Sequence, residues 1–173
     1  QNWVKIFSAS SIVQVVNDMD DKKADKVTND GFIAGKNATN ASGGVAIGNY
    51  AKTTGAGAAI GSEAEADSGF SGGYHAKGTG MGAAVGNSAS AFHGGAVGYA
   101  ANTSTGGAVG SEAVAGDGFS GGSEAKTVDA EGQPIDAIQL GTGTNSTAKT
   151  MQVYNKRIVE ADGSLTDVGS LAE

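Results

Sequence analysis

The chain has 173 residues with a formal net charge of −7, 30 glycines, one proline, no cysteine and only 6% aromatic residues. Without cysteine it has neither disulfides nor a cysteine-based zinc site, and without a basic stripe it has nothing to neutralise phosphates, so nucleic acid is not an expected partner. Glycine without a three-residue period and nearly without proline excludes collagen, and no run reaches the roughly 18 apolar residues of a spanning helix, so no membrane insertion is expected.

Residues 1–30 read as an apolar segment followed by a helical stalk. Trp3, Val4, Ile6 and Phe7 form a dense apolar cluster suited to an interface or to an upstream domain. Ser11 with Gln14 fits a capping box, and Ile12, Val15, Val16 and Met19 recur at three-and-four spacing on a helix expected to end near Asp25. A short trimerising coiled coil would place these residues at its seam; a single amphipathic helix folded back on the next region is the alternative. No signal peptide is legible, and a start at Gln1 rather than Met reads as the start of a piece of a longer protein.

Residues 31–127 are dominated by a repeat. A glycine followed three residues later by alanine occurs eight times: Gly35 with Ala38, Gly48 with Ala51, Gly61 with Ala64, Gly73 with Ala76, Gly86 with Ala89, Gly98 with Ala101, Gly110 with Ala113 and Gly122 with Ala125. The glycines step by 13, 13, 12, 13, 12, 12 and 12 residues. A larger unit is visible too, because Ser62-Glu63-Ala64 leading to Gly69-Phe70-Ser71-Gly72-Gly73 returns as Ser111-Glu112-Ala113 leading to Gly118-Phe119-Ser120-Gly121-Gly122. So short a period excludes helix-pair repeats and propeller blades and suits one coil of a β-solenoid, two short strands and two tight turns, with glycine where the chain reverses. Ile47, Ile60, Val85, Val97 and Val109 precede the glycine in five coils; in the other three a small residue stands there, with Phe32, Phe70 or Phe119 two positions earlier. The expectation is volume compensation inside a thin core.

Such a rod is hard to stabilise alone. Ordering a coil costs about 1–2 kcal/mol of backbone entropy per residue, and burying one β-branched side chain returns only about 1.5–3 kcal/mol. Burial of one face against identical neighbours would supply the difference, so a closed homotrimer is expected.

Residues 128–173 read as a C-terminal β cap or connector. Thr150 to Val159 has strand character, and Asp162-Gly163 is a turn signal.

Chemistry-bearing residues are few. Gly78-x-Gly80-x-x-Ala83 matches a dinucleotide fingerprint but lacks the strand–turn–helix setting that gives the motif meaning, so no cofactor is expected. His75 and His93 fall in different coils without carboxylates at ligand spacing, which gives no expected metal site. Glu63, Glu112 and Glu124 each stand two residues after the coil glycine, and a solvated row of carboxylates is the plain reading, so no enzyme activity is expected. Tyr50 lies in the same row as Glu63 and His75, with Tyr74 and Tyr99 beside it; these three tyrosines are the candidate glycan contacts, because a ring can stack on a sugar while its hydroxyl stays wet.

The units Val45-Ala46-Ile47-Gly48-Asn49-Tyr50-Ala51 and Ala58-Ala59-Ile60-Gly61-Ser62-Glu63-Ala64 resemble the head repeats of YadA-type trimeric autotransporter adhesins, although the coil here is shorter than the usual head repeat. The resemblance covers about Phe32 to Lys126 and implies a trimeric left-handed parallel β-roll. The stretch Ala137 to Asn145, with Met151-Gln152-Val153-Tyr154 and Ala161 to Leu165, is similar to segments in fibre proteins of phages and prophages of Gram-positive bacteria. Together they imply a mainly β fibre segment on a virion surface that displays, and attaches to, a bacterial surface receptor such as a glycan. The head of a bacterial surface adhesin is the alternative, and a ligand-binding or polysaccharide-degrading tailspike the second one.

Overall fold

The structure, a computed structural model, describes residues 26–28 and 31–166. Ile12, Val15, Val16 and Met19, and with them the expected stalk helix, lie outside the described residues.

The described chain is a β-solenoid with two parallel sheets. Each coil gives one three- or four-residue strand to the first sheet and one two- or three-residue strand to the second, and every strand between the sheet ends pairs with the equivalent strand one coil earlier and one coil later. The first sheet has twelve strands, from Lys26–Thr28 to Lys156–Val159; the second has nine, from Thr39–Asn40 to Gly143–Asn145. The register is strict: Ala83, Ala84 and Val85 lie beside Gly95, Ala96 and Val97, which lie beside Gly107, Ala108 and Val109. At about 4.8 Å per strand, the ten coils of the first sheet make a rod of roughly 43 Å.

Coils of 12 and 13 residues coexist because the extra residue sits in the corner leading from the second sheet to the first. Thr54-Gly55-Ala56-Gly57 fills that corner in one coil, and Asp67-Ser68-Gly69 fills it in the next. The strands on either side keep their register, so no side chain changes face.

The interior is narrower than the sequence suggests. In a strand of three residues the middle one faces opposite to the other two. The middle residues point inward: Ala46, Ala59, Ala84, Ala96 and Ala108 are all 0% exposed. The expected core residues Ile47, Ile60, Val85, Val97 and Val109 therefore point outward, with Ile60 40% and Val109 45% exposed and Ile47 half-buried. Phe70 and Phe119 share that outer face, as does half-buried Phe32. The volume exchange between aromatic and β-branched positions exists, but it operates on the outside of the roll. Inside, the alanine three residues after each glycine completes the core, from Ala51 to Ala125 fully buried.

The corner after the first sheet explains the invariant glycine. Gly73 has φ 131°, and a Cβ on it would sit against the carbonyl of Gly86 one coil later, so both backbone conformation and coil stacking forbid a side chain. Two residues on, each coil holds a non-glycine residue in the left-handed region, from Asn37 through Tyr50, Glu63, His75, Ser88, Ala100 and Glu112 to Glu124. Each of these backbones after Asn37 is pinned by donating its N–H to the preceding coil, as Glu63 N to Asn49 O at 2.8 Å and Glu112 N to Tyr99 O at 2.7 Å.

The roll does not stop at residue 127. After a loop held by an Asp129 turn and a Val128–Pro134 bridge, Ile138–Leu140 and Gly143–Asn145 continue both sheets, and Met151–Val153 adds one more parallel strand. Only then does Lys156–Val159 fold back antiparallel, so the stretch read as one strand is a hairpin; Asp162-Gly163 turns as expected, with Gly163 at φ 85°. Lys26–Thr28 is likewise antiparallel to its neighbour, so the first sheet carries an antiparallel strand at both ends. Asparagine closes the inside. Asn40 and Asn145 hold the same register position in the first and last strands of the second sheet. Asn40 donates to Gly44 O at 2.6 Å and accepts from Thr53 Oγ1 at 2.9 Å; Asn145 donates to Ile138 O and Thr150 O and accepts from Thr150 Oγ1 at 2.9 Å. At each end of the second sheet the amide oxygen also accepts from turn N–H groups, Ser42 N and Gly44 N on Asn40 and Thr147 N on Asn145, so a polar side chain ties down the chain where the coil stacking runs out.

Candidate functional site

The roll presents two unlike surfaces. The outer face of the first sheet is an apolar stripe two residues wide. One row runs Phe32, Val45, Ala58, Phe70, Ala83, then glycines 95 and 107, then Phe119, Ile138 and Met151. The second row, two positions along each strand, runs from Ala34 through Ile47, Ile60, Gly72, Val85, Val97, Val109, Gly121 and Leu140 to Val153. Gly95 beside Val97 leaves open space, but phenylalanine in one row goes with alanine or glycine in the other, so in those coils the bulk missing from one row is supplied by its neighbour. Phe119 shows how: its ring lies where a Cβ on either Gly107 or Gly121 would be, within 2.9 Å of the first and 2.7 Å of the second. No charged residue interrupts either row, which is unusual for a surface this long.

The second surface is polar and lies at the left-handed corner and on the outer face of the second sheet. Its strand positions stack by register as Lys52, Glu65 and Lys77, a ladder of alternating sign in which Lys77 Nζ lies 3.6 Å from Glu65 Oε2. Beside it the corner positions stack as Tyr50, Glu63 and His75, with His75 Nε2 3.1 Å from Glu63 Oε2. The Tyr74 ring meets the His75 ring edge-on at 4.0 Å and fixes its orientation. Tyr50, Glu63, Glu65, His75, Ala76 and Lys77 border an open concavity of about 600 Å³.

Of the three tyrosines expected to meet a glycan, the structure brings Tyr50 to this concavity and makes Tyr74 a support for His75. Tyr99 stands two coils further along and does not border it. Glu65 and Lys77 were missed by sequence reasoning, although the signal is simple: Lys52, Glu65 and Lys77 each follow the coil glycine by four residues. His93 packs against Phe92 and lies away from His75, and among the described residues no three His, Cys, Asp or Glu side chains are grouped as metal ligands would be. Gly78 lies in a strand of the second sheet and Gly80 in the following turn at φ 56°, so the fingerprint-like glycines are corner elements of the solenoid.

No family model, curated protein or solved structure matches the chain.

Proposed function

We propose that the chain is a segment of a homotrimeric fibre whose work is mechanical display and attachment at a bacterial surface. The uninterrupted apolar stripe on the outside of the first sheet carries this reading. An alanine interior cannot offset the entropy of ordering the coils, and the side chains that could do so, the Ile, Val and Phe rows, are outside and exposed in a single chain. Three copies around an axis parallel to the rod bury all three stripes at once, coil against coil, and a closed ring leaves no stripe exposed. The pairing of Phe32, Phe70 and Phe119 with Ala34, Gly72 and Gly121 suits this arrangement, because a large ring in one row is matched by a small residue in the other. The similarity of the 137–165 stretch to phage fibre segments favours a virion over a bacterial cell as owner; in either setting the left-handed trimeric roll is the architecture that the head-repeat resemblance implies.

Light scattering tests it. The purified chain should run at three times its 16.9 kDa mass, and Val97→Asp, in the middle of the stripe, should dissociate it, whereas Asn102→Asp on the opposite sheet should not. A monomeric, well-folded wild-type chain would refute the proposal.

A further inference from the structure

We infer that the concavity bordered by Tyr50, Glu63, Glu65, His75 and Lys77 is a binding site for an uncharged oligosaccharide. The backbone does not require these residues. The duplicated block builds the same corner in the same left-handed conformation with Ala100, Glu112 and Glu124 where the first block has Tyr50, Glu63 and His75. On the adjoining strands it has Asn102, Val114 and Lys126 in place of Lys52, Glu65 and Lys77. Glu63 and Lys77 recur as Glu112 and Lys126, but only the first block adds the Tyr50 ring, the His75 imidazole and the Glu65 carboxylate to the same scaffold.

The chemistry of the set selects the ligand. Tyr50 is 54% exposed at the edge of the concavity, offering a ring face to the C–H side of a pyranose and a hydroxyl to solvent. Glu63 and His75 form one pair, 3.1 Å apart, and Glu65 and Lys77 another, 3.6 Å apart, so a carboxylate acceptor and a nitrogen donor stand side by side twice along the concavity, as sugar hydroxyls require. Two carboxylates against one lysine and one histidine leave no surplus positive charge, which disfavours sulfated, phosphorylated or sialylated sugars. The volume of about 600 Å³ is in the range of small-molecule sites. Packing of the stripe in the proposed trimer would leave this site outside the contact, since it belongs to the second sheet and its corner while the stripe belongs to the first. The inference rests on the fibre reading only for that accessibility.

The test uses the full chain, labelled and applied to an array of neutral oligosaccharides of glucose, galactose, rhamnose and N-acetylglucosamine beside sulfated and sialylated ones. Titration calorimetry of the best neutral sugar against the wild type and its variants follows. Tyr50→Ala should weaken binding about tenfold or more and Tyr50→Phe by no more than about threefold, since the ring supplies the stacking. His75→Ala and Glu63→Gln should each weaken it about fivefold, and Tyr99→Ala should leave it unchanged. Saturation-transfer NMR should show the sugar receiving magnetisation from protein aromatic protons in the wild type and less in Tyr50→Ala. Binding only to charged sugars, no neutral sugar bound at millimolar concentration, or full affinity in Tyr50→Ala would overturn the assignment. Light scattering on the same samples reports the trimer separately, so loss of sugar binding and loss of assembly are distinguished.

Discussion

The ring of Phe70 covers Gly72 two residues later on the same strand: a Cβ built on Gly72 would lie 2.8 Å from Phe70 Cε1. Alternate residues of a strand share a face, so an aromatic at the first position fills the space that Ile or Val occupies at the third position of neighbouring coils. Phe119 and Gly121 repeat the arrangement. The pair is a conserved volume written at a different place along the strand.

This pair should behave as a unit. If three copies pack on the stripe as proposed, Phe70→Ala lowers stability by about 2–3 kcal/mol through the gap it leaves there, and Gly72→Val alone costs about 1–2 kcal/mol by pushing the ring aside. The double variant, which rewrites the coil in the pattern of Ala83-Ala84-Val85, should recover most of the loss. Thermal melting at constant protein concentration reads the coupling; strictly additive losses would show that the two positions do not share one space.

Adjacent residues 96 and 97 separate inside from outside. Ala96 is 0% exposed and Val97 44%. Ala96→Leu should abolish cooperative folding or cost at least about 3 kcal/mol, because the interior has no room for added methylenes. Val97→Leu should change stability by less than about 1.5 kcal/mol, being a similar volume on the outer face. Circular dichroism melts of the two variants suffice. The reverse ranking would restore the valine to the core.

The repeat made the solenoid legible, and with it the coil length, the two strands and the glycine corner. What sequence alone mislaid was the phase. Ile47, Ile60 and Val97 are β-branched residues recurring just before the coil glycine, a pattern that reads as core. A period of two cannot say which face is the inside, and in these coils the inward position is filled by the methyl of Ala46, Ala59 or Ala96. The extent of the roll was hidden for a related reason: ten residues, Val128 to Ala137, separate Thr127 from the strand Ile138–Leu140, so the next coil falls out of step with the period although it stays in register with the sheet. The polar site was half legible. Tyr50, Glu63 and His75 share a row by simple counting, but the ladder that completes it starts two residues further along each coil, at Lys52, Glu65 and Lys77.

The corner makes opposite demands on two nearby residues. Ala100 sits at φ 50° and Gly98 at φ 135°. Ala100→Gly should be neutral or stabilise by up to about 1 kcal/mol, because glycine carries no left-handed penalty to set against its greater chain entropy. Gly98→Ala should destabilise by about 3 kcal/mol or more, since its Cβ would press on the carbonyl of Gly110 as well as strain the backbone. Paired denaturant melts give both numbers, and a harmless Gly98→Ala would contradict the stacked corner.

The charge ladder predicts a salt-sensitive variant. Glu65→Lys places lysines at three successive register positions, 52, 65 and 77. Glu65 and Lys77 are about half exposed and Lys52 is exposed, so the expected loss is modest, on the order of 1 kcal/mol at low ionic strength. Melting points measured in low salt and again near 1 M salt should converge with the wild type as screening removes the repulsion. A deficit that persists in high salt would point to lost packing instead.

Asn145 holds the last coil closed. Its amide is wholly buried and pairs with Ile138 O, Thr150 O and Thr150 Oγ1, and it also accepts from Thr147 N at 3.2 Å. Asn145→Ala removes these bonds together and is expected to cost about 2–3 kcal/mol, because the Thr147 N–H loses its acceptor and a buried space the size of an amide is left behind. Thr144→Ala, next to it on the exposed face, should cost less than about 0.5 kcal/mol. Since each coil is stacked only on its neighbours, the damage should stay local. Hydrogen exchange should accelerate at Ile138–Leu140 and Met151–Val153 and be unchanged at Phe70–Gly72. Uniform acceleration along the rod would mean that the solenoid unfolds as one unit and that Asn145 does not act as an end plug.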